Sequence, residues 1–295
     1  MSLREPASPI AWANFLVKLW GDDRFPVKVK EIALDYSRRF KDCIREVKAA
    51  PVGRGFEGAL YPLPKKGEWA ILYNPKIDTP GRINFTQAHE LGHYLNHRHA
   101  RATGFECSAE GVLGYDVENV YRRWEREADA FASYLLMPMT DFRAQVAGNP
   151  MSLDLLKHCA DRYDVSFTAA ALKWLEFTEA RAALVYARDG FVLWGRRSDA
   201  AKKSGVFYPS GLPLPPESIA ARGQSFAIAD PKGVELAPGV WRRFEPVREM
   251  TIFADRYDAT ISLLILPQTS AFKVEWADEP VEDLVSRIEA ASERG

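Results

Sequence analysis

Four of the chain's five histidines fall within residues 89–99, which read HELGHYLNHRH. This spacing constrains the local fold more than any other feature. On an α-helix, His89 and His93 lie one turn apart and only about 40° apart around the axis, so both imidazoles can reach one ion. Glu90 lies beside that face.

A length of 295 residues exceeds one typical domain and predicts two. A hydrophobic content of 47% with 12% aromatic residues describes a globular chain with sizeable cores, not a disordered one. The net charge of −1 gives no reason to expect nucleic acid or an anionic membrane as partner. The start, MSLREPASPI, has no basic stretch followed by an apolar one, and runs such as residues 261–266 are too short to span a bilayer. Cys43, Cys107 and Cys159 are widely spaced and form no C-x-x-C pair. A reducing, cytoplasmic setting is expected.

Residues 10–50 predict two helical stretches around a break at 21–26, the second spanning about 29–40. Residues 51–64 read as strand and turn, and 69–73 as a short strand closed by Asn74 and Pro75. Asn84 is expected to open a helix as its cap, with Gln87 completing a capping box, which puts H-E-x-x-H in the first turns. Residues 100–117 carry Gly104, Gly111 and Gly114 and read as a long loop. A helix over about 118–136 stops ahead of Pro138, with Trp124, Ala128, Phe131 and Leu135 as its core stripe.

Residues 152–162 and 166–179 form a helix pair, with Ser166 as the second N-cap. The pair is like a helix-turn-helix, yet its second helix offers only Lys173 as a cation, whereas a DNA-reading helix needs several donors. Packing, with no direct DNA binding, is expected. Beyond Arg181 the texture turns β-like. Segments 184–187 and 191–194 flank Asp189 and Gly190 as a hairpin, strands follow at 226–228, 249–253 and 260–266, and 280–293 reads as an amphipathic helix. The fold class is α+β: a first domain over 1–150, the helix pair over 151–180, and a smaller β-rich domain over 181–295.

H-E-x-x-H is the pattern of zinc hydrolases, with two metal-binding histidines and a glutamate placed to take a proton from an attacking water. A catalytic zinc takes a third protein ligand. His99 completes the metzincin spacing H-E-x-x-H-x-x-G-x-x-H, with Asn96 at the glycine and Met137 and Met139 downstream. Glu125 is the second candidate. It lies one helical turn from Asp129, so one carboxylate can bind metal while the other accepts a hydrogen bond from a ligating imidazole. Glu127 is expected to point outward and pair with Arg123. Both candidates have plainer readings, as a solvated helix face and an exposed surface histidine. His97 is expected to pack or bond to backbone. Tyr94, Tyr121, Tyr134 and His97 are candidate donors to a developing oxyanion.

The segments HELGHYLNHRH and EREADAFASYLLMP resemble the ImmA/IrrE family of bacterial zinc metallopeptidases. FECS at 105–108, with CADRYDVS and RDGFVLW within 159–194, resemble one subgroup, so the likeness covers roughly residues 25–200. It implies a zincin-like peptidase domain, Zn2+ held by His89, His93 and Glu125, Glu90 as base, and Asp129 orienting a histidine. It further implies a strand at 69–73 as the edge that pairs with substrate, and a helix-turn-helix transcriptional repressor as substrate in stress or mobile-element circuits. The C-terminal part would sense a signal or hold the substrate. Other classes stay open: a regulatory binding protein with a structural zinc, a metzincin-type protease using His99, or a DNA-binding regulator.

Overall fold

Ser8 and Pro9 start the first helix of the computed structural model, α1 (Pro9–Trp20). The Ser8 hydroxyl accepts from the Ala11 N–H at 3.2 Å, and proline fits the first helical position because its missing N–H is not needed there. The structure describes residues 5–21, 24–51, 56–63, 67–77, 79–100, 105–108, 115–223, 231–254 and 258–268, with backbone alone for 105–108 and 115–119. α2 (Val29–Ser37) turns Val29, Ile32, Ala33 and Tyr36 inward at helical spacing. The Tyr36 ring meets Trp12 of α1 edge-on at 5.9 Å.

Three strands follow: β1 (Ile44–Ala49), β2 (Phe56–Leu63) and β3 (Glu68–Tyr73). Beyond α3 (Pro80–His97) comes β4 (Phe105–Ser108), completing a sheet in the order β1-β3-β2-β4. β1 runs parallel to β3, while β2 is antiparallel to both β3 and β4. The strand at 69–73 therefore forms as expected but is interior. Among the described residues the sheet edges are β1 and β4, so the strand at 69–73, paired on both sides, is not the substrate-pairing edge expected of it. β1 falls within the stretch read as two helices, and β4 within the segment read as a loop.

α3 also starts a turn earlier than expected. Pro80 sits at its first position, and Asn84 lies inside the helix, its amide donating to the Val27 carbonyl at 3.0 Å instead of capping. H-E-x-x-H thus occupies the middle of the helix, where the backbone is fixed on both sides. Arg82 in the first turn donates to Glu57 of β2, tying the helix to the sheet.

α4 (Tyr115–Leu136) packs along α3 with Ala128, Phe131, Ala132 and Leu135 fully buried. It ends ahead of Pro138, and α5 (Met139–Val146) follows. α6 (Leu153–Tyr163) and α7 (Phe167–Phe177) form the expected pair, and Ser166 caps α7 by accepting from the Ala169 N–H at 3.1 Å. Asp141 of α5 accepts from Arg162 and from the Tyr163 hydroxyl at 2.6 Å, locking α5 onto α6.

The chain divides into two compact units, Met1–Lys173 and Trp174–Gly295. In the second, β5 (Ala182–Arg188) and β6 (Phe191–Arg197) form the expected hairpin. Asp189 and Gly190 both have positive φ, 51° and 78°, as a type I′ turn requires. After the short helices α8 (Asp199–Lys203) and α9 (Ile219–Arg222) come β7 (Val234–Leu236), β8 (Val247–Ala254) and β9 (Ala259–Ile265). These strands make an antiparallel sheet in the order β6-β5-β9-β8-β7. Val185, Val192, Val247 and Leu264 fill its core. Glu249, fully buried there, accepts from the Ile219 and Ala220 N–H groups and from Trp241, so its oxygens are satisfied within the core. The strand expected at 226–228 and the helix expected at 280–293 lie outside the described residues. The molecule is a mixed α+β protein. None of its described helices is long and apolar enough to cross a membrane.

Candidate metal centre

α3 presents His89, His93 and His97 at successive turns along one face, and α4 runs antiparallel across that face. Asp129 meets His89, Glu125 spans His89 and His93, and Glu127 meets His97. Gly92 permits the close approach. A Cβ there would stand 3.0 Å from the Phe131 ring and 3.2 Å from the Ala128 backbone of α4, so a larger residue would drive the two helices apart.

The Nε2 atoms of His89 and His93 are 3.0 Å apart, and the Glu125 carboxylate oxygens lie 3.3 and 3.4 Å from them. A tetrahedral ion with bonds of 2.0–2.1 Å needs donor separations of about 3.3 Å. Two imidazoles and one carboxylate are also the donor set of catalytic zinc sites that keep a position open. The residues therefore fit such an ion. Among the described residues, these three form the cluster able to hold a metal. His99 is exposed past the end of α3 and is not part of it.

Electrostatics matches the geometry. Burial pushes His93 down to about 4, against a partial lift from Glu125, so its imidazole is neutral at pH 7 with a lone pair available. Burial alone would raise Glu125, but hydrogen bonds and charge from His89 and His93 override it and hold the carboxyl far below its ordinary range. His97 is likewise lowered by burial against the opposing pull of Glu127. Each ring is also held from behind. Asp129 Oδ1 is 2.9 Å from His89 Nδ1, and His97 Nδ1 is 3.1 Å from His93 Nδ1.

Glu90 is fully buried on the sheet side of α3. Its carboxylate lies against Gly58 of β2, where a Cβ would stand 2.7 Å from Oε1. The base candidate thus sits one residue from a metal-ligand candidate and against the strand beside β4.

Glu127 departs from the expectation. It pairs with Arg123 at 2.8 Å as foreseen, yet its other oxygen receives His97 Nε2 at 2.9 Å. Measured from Glu125 it points away, but measured from Trp124 in the core stripe it is only about 60° off, on the opposite flank. His97, expected to pack or bond to backbone, is buried and bonded to two side chains. The readable signal was the third histidine at helical spacing, which calls for a partner across the seam. Of the other oxyanion-donor candidates, Tyr94 is committed to the Asp42 carbonyl at 3.0 Å, Tyr121 packs edge-on against Trp124, and the Tyr134 ring lies under the Lys173 ammonium.

Residues 55–175 match the family model described as the IrrE N-terminal-like domain, Peptidase M78. That span contains every residue of the centre. Among solved structures the chain is similar to a Mycobacterium tuberculosis transcriptional regulator, with 13% identity and a TM-score of 0.54 over 89% of this chain and 77% of that one. At this identity the likeness is one of fold. No curated protein matches the chain.

Proposed function

We propose, from the match of residues 55–175 to the IrrE N-terminal-like domain, that this chain is a zinc-dependent endopeptidase of the ImmA/IrrE family with zincin-like architecture. Its substrate is a regulatory protein, a helix-turn-helix transcriptional repressor by class. The observation that carries this reading is a buried carboxylate, Glu90, one residue from a His89–His93–Glu125 triangle of zinc-like dimensions. A purely structural site has no use for a base beside the metal.

In this reading His89, His93 and Glu125 hold the ion, and Asp129 keeps His89 in the tautomer whose Nε2 carries a lone pair. Zn2+ when bound supplies Lewis-acid polarisation and a water acidified toward neutrality. Glu90 accepts a proton at its carboxylate and delivers it to the leaving amine. β4, the sheet edge beside β2, is the strand with which an extended substrate pairs.

The functional division follows the sequence: a peptidase domain over 1–150, the helix pair over 151–180, and a β-rich sensory or substrate-holding domain over 181–295. Lys173, the lone cation of α7, is buried over the Tyr134 ring at 3.3 Å, which argues against α7 reading DNA. A cytoplasmic setting with a protein partner, and no membrane partner, belongs to the same proposal. The solved relative described as a transcriptional regulator fits a regulatory role.

Zinc stoichiometry of the purified wild type, Glu125→Gln and His99→Asn proteins tests the site, and incubating the zinc-loaded wild type with helix-turn-helix repressors tests the activity. Zinc lost from Glu125→Gln, kept by His99→Asn, and cleavage of a repressor are the expected results. Zinc lost from the His99 variant instead would mark a metzincin-like site. Bound zinc with intact repressors would favour the structural alternative.

A further inference from the structure

We infer that His97 and Glu127 form a relay that fixes the tautomer of His93 and so sets the metal affinity of the centre. The inference rests on the proposed metal site and adds two residues to it.

A carboxylate only accepts, so the 2.9 Å contact between Glu127 Oε2 and His97 Nε2 places a hydrogen on Nε2. A neutral His97 then has a lone pair on Nδ1. That atom lies 3.1 Å from His93 Nδ1, which must supply the hydrogen between them. His93 is thereby held as the Nδ1–H tautomer, and its Nε2 lone pair faces His89 Nε2 and Glu125. Arg123 anchors the far end by donating to the other Glu127 oxygen at 2.8 Å.

The two ligating histidines are therefore oriented by different means. Asp129 acts on His89 directly, from a side chain that is 59% exposed. His93 is fully buried, and there a second imidazole carries the preference inward from Glu127. His97 and Glu127 are positioning residues, acting through His93. Trp124 packs obliquely on the His97 ring, with centroids 5.7 Å apart, and buttresses it.

The test uses the full chain, Zn2+ and a chromophoric competing chelator, with nitrogen NMR of the imidazoles in the metal-free protein. His97→Phe keeps the ring and removes the acceptor. It should weaken zinc binding ~10–100-fold and turn His93 from one tautomer into a mixture. Glu127→Ala lies on the helix flank and carries the test if the buried variant does not fold. Its expected loss is ~10-fold. His97→Gln offers an amide oxygen to the His93 hydrogen and should recover most of the affinity, which a purely space-filling role would not produce. Wild-type affinity in His97→Phe and Glu127→Ala, with the His93 tautomer unaltered, would overturn the relay. A wild type that binds no zinc would overturn the metal site instead, and the His93 tautomer would still decide the relay.

Discussion

Glu90 is the side chain on which the proposed chemistry turns. Its substitution by glutamine preserves shape against Gly58 and removes the base. Glu90→Gln is expected to retain zinc at wild-type stoichiometry while repressor cleavage falls by ~10²–10⁴-fold, the usual contribution of a positioned base. Unaltered cleavage would take the proton-transfer role away from Glu90. Asp141 permits a different kind of prediction. Burial would raise its carboxyl, but hydrogen bonds from Arg162 and Tyr163 outweigh that and lower it. The folded state thus binds this proton less readily than the unfolded state. The stabilisation is fully present above the unfolded value of about 3.9 and is lost as pH falls through the lower folded one. Asp141→Asn should cost about 1–2 kcal/mol at pH 7, and the gap to wild type should close in acid denaturation below that range. A gap that persisted unchanged at low pH would mean that charge is not its source. Helical spacing alone singles out His89, Glu90 and His93 and puts Glu125 one turn from Asp129. It leaves Glu125 and His99 both open as third ligand, and only the family resemblance points to Glu125. Glu127 was misjudged because its angle was taken from Glu125, when the core stripe is what faces α3.

The seams between secondary-structure elements were harder to read than the elements themselves. β1 and β4 are short, and their pairing is with strands remote in sequence, so local pattern alone could not reveal them. The start of α3 was misplaced because Asn84 looks like a cap, while its amide is used by the Val27 carbonyl. The packing of α3 on β2 explains a glycine that the sequence left unremarked. A Cβ on Gly58 would stand 2.5 Å from Thr86 Cγ2 and 2.7 Å from Glu90 Oε1. Gly58→Ala must therefore push α3 off the sheet or displace Glu90. Overpacking of this kind costs about 1–3 kcal/mol. Zinc should stay bound, because its three proposed donors lie on the α3–α4 seam, and the proposed repressor cleavage should fall. Thermal unfolding, zinc content and cleavage measured on one preparation separate these effects. Full cleavage in the variant would show that Glu90 tolerates the displacement, or does not experience it.

Ligand convergence ties the proposed chemistry to the stability of the protein. The hairpin at Asp189 and Gly190 was legible because two positive-φ residues leave few alternatives, but the placement of β5 beside β9 was not, since their partnership forms only when the whole β-rich unit closes. The candidate metal centre is also non-local. His89 and His93 keep their spacing in any helical fragment, yet Glu125 joins them only when α4 lies along α3. Zinc should therefore bind the folded chain far better than the unfolded one, and its binding free energy should appear as stability. At free zinc a thousandfold above its dissociation constant, the gain is about 4 kcal/mol. The wild-type unfolding midpoint should rise with added zinc and fall with a chelator, while Glu125→Gln should respond weakly to either. An equal response in both proteins would mean that the stabilising ion sits elsewhere, and that the convergence of α3 and α4 serves packing alone.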